Sequence, residues 1–125
     1  MLFRSGVAAL LSLVKSGDLT LEEAVTDLAV ADRHADLARF LGDVSGIDET
    51  QILRVLVRSD ANGIATVVRG LELSEATWDK VVEMRKRKLK FSPTQAKWER
   101  EHFSRMDVAE AKVTLSAFTD RRRAG

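Results

Sequence analysis

The chain has 125 residues, no cysteine and a single proline, with 45% hydrophobic and 31% charged residues. That length fits one domain with a real core, and the lack of cysteine excludes disulfides, thiolate metal sites and a cysteine nucleophile. Net charge is only +1, but it is segregated: residues 1–78 hold 7 Lys/Arg against 12 Asp/Glu, and residues 79–125 hold 13 against 7. Such asymmetry points either to an acidic partner for the C-terminal part or, more plainly, to complementarity within the molecule and a solvated basic surface.

The first expected helix covers about Leu2 to Lys15, with Phe3, Val7, Leu10, Leu11 and Val14 at three- and four-residue steps, and Gly17 stops it. Its apolar run is broken by Ser12 and followed by Glu22, Glu23 and Asp27, a poor match to a secretory leader. No stretch approaches the ~20 apolar residues that span a bilayer. Thr20 with Glu23 forms a capping box opening a second helix, whose inward stripe is Leu21, Ala24, Val25 and Leu28. A third helix, about Arg33 to Val44, turns Leu37, Phe40, Leu41 and Val44 inward and closes at Gly46.

Asp48 with Gln51 is read as another capping box. The helix it opens carries Ile52, Leu53, Val55, Leu56 and Val57, an apolar face wide enough to make this the most buried element. A short helix follows from about Ala61 to Arg69, stopped by Gly70. Ser74 caps a longer one, about Glu75 to Lys90, with Trp78, Val81, Val82 and Leu89 inward and cations in its last turns. Ser92-Pro93-Thr94-Gln95 is the strongest helix start in the chain. From there Ala96, Trp98, Phe103, Met106, Ala109, Val113 and Ala117 keep helical spacing as one long helix or as two, with a restart at Asp107 and Glu110. Residues 119–125 are expected to be a flexible basic tail.

Three of these starts repeat one another. Leu19-Thr20, Ile47-Asp48 and Leu73-Ser74 each place an apolar residue before a cap, about 27 residues apart, a period typical of helical-repeat architectures. The expected fold is therefore all-α without a sheet: about seven or eight helices in stacked pairs forming a single domain over 1–118. Its repeat-like units would be about 7–31, 35–58 and 61–90, followed by C-terminal helices within 93–118.

The segment from about Leu10 to Leu89 resembles an uncharacterised, chiefly alphaproteobacterial helical-repeat family, HEAT-like in style and catalogued only as a domain of unknown function. The resemblance is carried by Leu37-Ala38-Arg39-Phe40-Leu41, Val44-Ser45-Gly46-Ile47 and Gly70-Leu71-Glu72-Leu73-Ser74-Glu75-Ala76-Thr77-Trp78. It matches only what would be the C-terminal repeats of longer members. It implies a bacterial, cytoplasmic protein of the binding or scaffold type and transfers no catalytic residue.

For chemistry, the residues offer little. His34 and His102 stand outside any metal-ligand spacing, and Asp32, His34 and Asp36 do not share a helix face; both histidines are expected at the surface and no metal or cofactor is assigned. Glu22-Glu23 belong to helix capping, while Glu99 and Glu101 read as a solvated stripe among Lys97, Arg100 and Arg105. No phosphate loop or serine elbow is present, so no catalytic residue is assigned and the chain is read as non-enzymatic. The sharpest candidate is an anion-binding segment, Arg85, Lys86, Arg87, Lys88 and Lys90, joined by Arg121, Arg122 and Arg123 and flanked by Phe91 and Trp98. The leading expectation is a protein-interaction domain that self-associates through exposed apolar ends at Leu2, Phe3 and Leu10. The alternative is a nucleic-acid or anionic-surface binder.

Overall fold

The computed structural model describes residues 6–124, with side chains described for residues 6–118. It is all-helical, with eight helices and no strand among the described residues: α1 Val7–Ser16, α2 Leu21–Val30, α3 His34–Ser45, α4 Glu49–Leu56, α5 Asn62–Gly70, α6 Glu75–Leu89, α7 Pro93–Arg105 and α8 Val108–Ala124. The expected start of the first helix at Leu2 and Phe3 lies outside the described residues. None of the helices is long and apolar enough to cross a membrane, among the described residues.

Each repeated start performs the same local chemistry. The hydroxyl of Thr20 accepts the Glu23 amide at 3.1 Å while the Glu23 carboxylate accepts the Thr20 amide at 3.0 Å, a complete capping box. Asp48 accepts from the Thr50 amide at 2.8 Å, and Ser74 accepts from Thr77. The apolar residues ahead of the caps, Leu19, Ile47 and Leu73, are all buried. Each therefore pins the chain to the core just before its helix begins. At Asp48 the expected box with Gln51 does not form, because the short carboxylate turns onto the amide two residues on, an alternative cap partner.

The first and third copies lie side by side in parallel. The Glu22 carboxylate, in the first turn of α2, accepts the Ser74 amide at 2.7 Å and the Thr77 hydroxyl at 2.9 Å at the start of α6. At the other end Arg87 of α6 donates to Asp32 and to the Ala29 carbonyl, just past and within the end of α2. α6 has Thr77 where a capping box needs a glutamate, so Glu22 supplies that carboxylate from the neighbouring helix. The remaining packed pairs include α3 with α4, α6 with α7 and α5 with α8.

Several expectations need correction. α4 is not the most buried element: only Ile52 and Leu56 are buried on it, while Leu53 and Val55 sit at the core's edge. Two turns of helix at the periphery cannot bury an apolar band on every side. α6 instead buries Thr77, Trp78, Val81, Val82, Met84 and Arg85. Leu10, expected at an exposed end, is fully buried, because α1 packs against both α2 and α3. Gly70 is part of α5 rather than its stop. A Cβ there would stand 3.0 Å from the Leu115 side chain and 3.1 Å from the Ala111 carbonyl, so its small size is what lets α8 lie close on α5. The chain after Pro93 is two helices, separated by an extended Met106 and restarted where Asp107 accepts the Glu110 amide. α8 runs on through Ala124, into the segment expected as a tail; that segment offers no proline, and no glycine before Gly125, to end the helix sooner.

Candidate functional site

The expected anion-binding run 85–90 is divided by its own helix. Arg85 faces inward and is 1% exposed, as is Glu99 on α7. The guanidinium donates from Nε and Nη2 to the two Glu99 carboxylate oxygens at 3.0 and 2.9 Å. Its Nη1 donates to the carbonyls of Leu56 and Arg58 at 2.7 and 2.8 Å, the C-terminal end of α4. Gln95 donates to the same carboxylate at 3.1 Å, and the buried Trp78 indole donates to the Glu99 carbonyl at 3.1 Å. Arg85 is therefore not a surface cation, and Glu99 is not part of a solvated stripe. A buried pair is held when its remaining hydrogen-bonding positions are filled, and here the carbonyls of Leu56, Arg58 and Ser59 and the Gln95 amide fill them.

Arg87 is half exposed but spoken for, through its 2.9 Å ion pair with Asp32 and its bond to the Ala29 carbonyl. A third arginine repeats the arrangement: Arg69 of α5 donates to the Met106 carbonyl at 3.0 Å, at the end of α7, and lies over the Phe103 ring at 5.0 Å. Phe103 in turn stacks on Trp78 at 5.1 Å. Helix C-termini present carbonyls without intrahelical donors and the negative end of the dipole. Arg69, Arg85 and Arg87 each satisfy such an end on a different helix, so two cations of the basic second part, Arg85 and Arg87, are engaged inside the molecule. Lys86, Lys88 and Lys90 make no ion pair among the described residues, and the side chains of Arg121, Arg122 and Arg123 lie outside them.

The structure assembles a different surface, which the sequence pattern hides. Trp98, whose helical spacing is also consistent with a core position, is 54% exposed on α7; Ala96, Glu99 and Phe103 are the buried residues of that helix and turn Trp98 outward. The indole stacks on His102 with ring centroids 5.5 Å apart and planes 5° apart. His102 is 3.2 Å from the Asn62 side-chain oxygen at the start of α5. Beyond it opens a cleft of about 340 Å³ between α5, α7 and α8, lined among others by Thr66, Arg105, Asp107, Glu110 and Thr114. Glu110 and Thr114 also border the shallow depression beside Ala109 and Val113, and Val113 is 70% exposed. An aromatic shelf, a polar trough and an aliphatic rim are thus continuous.

His34, expected at the surface, starts α3 with its Nε2 buried and without a hydrogen-bond partner among the described residues. Burial lowers its pKa below the usual histidine value, and the cations of Lys88 and Arg87 add to the effect against the opposing pull of Asp32. Among the described residues no group of three or more His, Asp or Glu side chains could hold a metal ion. Comparison with protein-family profiles, with curated proteins and with solved structures finds no match for this chain.

A histidine with a depressed pKa binds its proton more tightly when the chain is unfolded, so the folded state loses ground as pH falls through the unfolded value near 6.5 and stops losing below the folded value. Wild-type stability, followed by urea unfolding, is expected to drop from pH 7 to pH 5. In His34→Gln the drop should be smaller. The carboxylates of Glu22 and Glu23, held below their usual pKa by the hydrogen bonds they accept at Ser74 and Thr20, contribute stability above about pH 4.5 that is lost only in more acidic solution.

Proposed function

We propose that the chain is a non-enzymatic protein-interaction or scaffold domain that engages its partner through the α5–α7–α8 surface around Trp98. The observation that carries this is an indole more than half exposed, stacked on His102 at the mouth of an open trough. Tryptophan and arginine are over-represented among the residues that dominate binding energy in protein interfaces, and an aromatic anchor bordered by polar groups is the usual anatomy of such a patch. Membership in the bacterial helical-repeat family suggested by the motifs around Phe40 and Trp78, and a cytoplasmic setting, belong to this proposal.

A photo-crosslinking amino acid placed at position 98 or 113, expressed in the native cell, is expected to give a discrete adduct with a partner protein. The same group at Arg39, on the exposed side of α3, should give none. Adducts of equal yield at all three positions, or none at 98 and 113, would contradict the assignment.

A second reading, anion binding by the end of α6, is supported by Lys86, Lys88 and Lys90, which have no ion-pair partner among the described residues. With Arg85 internal and Arg87 engaged, three phosphates rather than five would be neutralised by this helix. The logarithm of duplex-DNA affinity against the logarithm of salt is then expected to fall with a slope of roughly −3. No mobility shift at low salt would reject this second reading.

A further inference from the structure

The charges lining the trough say what kind of segment it suits. Of the acidic side chains on this face, Glu101 is already shared by Lys97 and Arg105, at 3.9 and 3.7 Å. Asp107 and Glu110, at the start of α8, line the cleft without an ion-pair partner among the described residues. His102 lines the same cleft, and the exposed indole of Trp98 stacked on it supplies, beside the cleft, a flat π surface of the kind that attracts cations. Arg105 cannot offset both carboxylates, since its guanidinium already leans toward Glu101. Ala109 and Val113, one turn apart on the outer side of α8, extend the same surface with apolar contact area.

Building on the interaction reading of this surface, the geometry points to a basic, partly apolar peptide segment as its occupant. An arginine or lysine of the partner would lie between the Trp98–His102 stack and the Asp107–Glu110 carboxylates, and a neighbouring aliphatic side chain would rest on Ala109 and Val113. The same carboxylates argue against a nucleic acid. Phosphates entering the cleft would meet Asp107 and Glu110, and like charges at an interface reject the wrong partner.

The test uses the full chain and three fluorescently labelled peptides of equal length, alternating leucine with arginine, with serine or with glutamate, followed by anisotropy. The arginine peptide is expected to bind at least about tenfold tighter than the glutamate peptide, with affinity falling as salt rises. Trp98→Ala should abolish that binding. The double change Asp107→Asn with Glu110→Gln should weaken it about tenfold while leaving the melting temperature near wild type, because asparagine also caps a helix well. Equal or tighter binding of the glutamate or serine peptide, no effect of the double change, or Trp98-dependent binding of a single-stranded oligonucleotide would overturn the inference. If no peptide binds while crosslinking at position 98 still captures a partner, the inference about charge fails and the interaction surface stands; if both are silent, both fail.

Discussion

Every helix end in this small molecule has carbonyls or amides without an intrahelical partner, and the constraint that shapes the fold is how the ends nearest the core find one. Arginine side chains reach across from neighbouring helices. Arg85 closes the end of α4, Arg87 the end of α2 and Arg69 the end of α7. Glu22 does the converse for the start of α6. Of these, Arg85 is the one buried completely, and it is held by Glu99, which is itself fixed by Gln95 and Trp78. This single guanidinium joins α4, α6 and α7, elements contributed by three different stretches of the chain.

That arrangement takes up part of the segregated charge within the molecule. The acidic first part and the basic second part meet at Arg87–Asp32 and Lys112–Glu72, and Arg85 adds backbone carbonyls of the first part to its partners. Surface ion pairs of this kind contribute little by themselves. Their effect here is orientation: with Glu22 on Ser74 at one end and Arg87 on Ala29 at the other, α2 and α6 are restricted to a parallel alignment.

The fold class was readable because caps and apolar periodicity are local. Thr20, Ser74 and Ser92 open their helices as their spacing requires, and Leu19, Ile47 and Leu73 are buried as their repeat positions suggest. What could not be read depends on which helix lies beside which. Arg85 and Arg87 look alike in a basic run, yet only the position of α4 makes the first an internal donor. Glu99 and Glu101 look like a pair, yet two residues of helix turn one to the core and the other to solvent. Trp98 shows the opposite error. Large aromatic residues at helical spacing are usually buried, and in the sequence only Ala96, Glu99 and Phe103, once assigned to the inner face, would have shown that Trp98 must point away.

The outward position of Trp98 follows from the same wiring. Because Glu99 must face Arg85, and Phe103 must stack on Trp78 beneath Arg69, the register of α7 is set, and residues 98 and 102 are left on the far side where α5 and α8 form the trough. The proposed interaction surface is thus a consequence of the interior. Equilibrium urea unfolding of Arg85→Met beside Lys88→Met tests that claim most directly. A loss of about 3–5 kcal/mol for the first and a change within about 0.5 kcal/mol for the second is the predicted result. Equal, small losses at both positions would show that the buried guanidinium does not organise the fold.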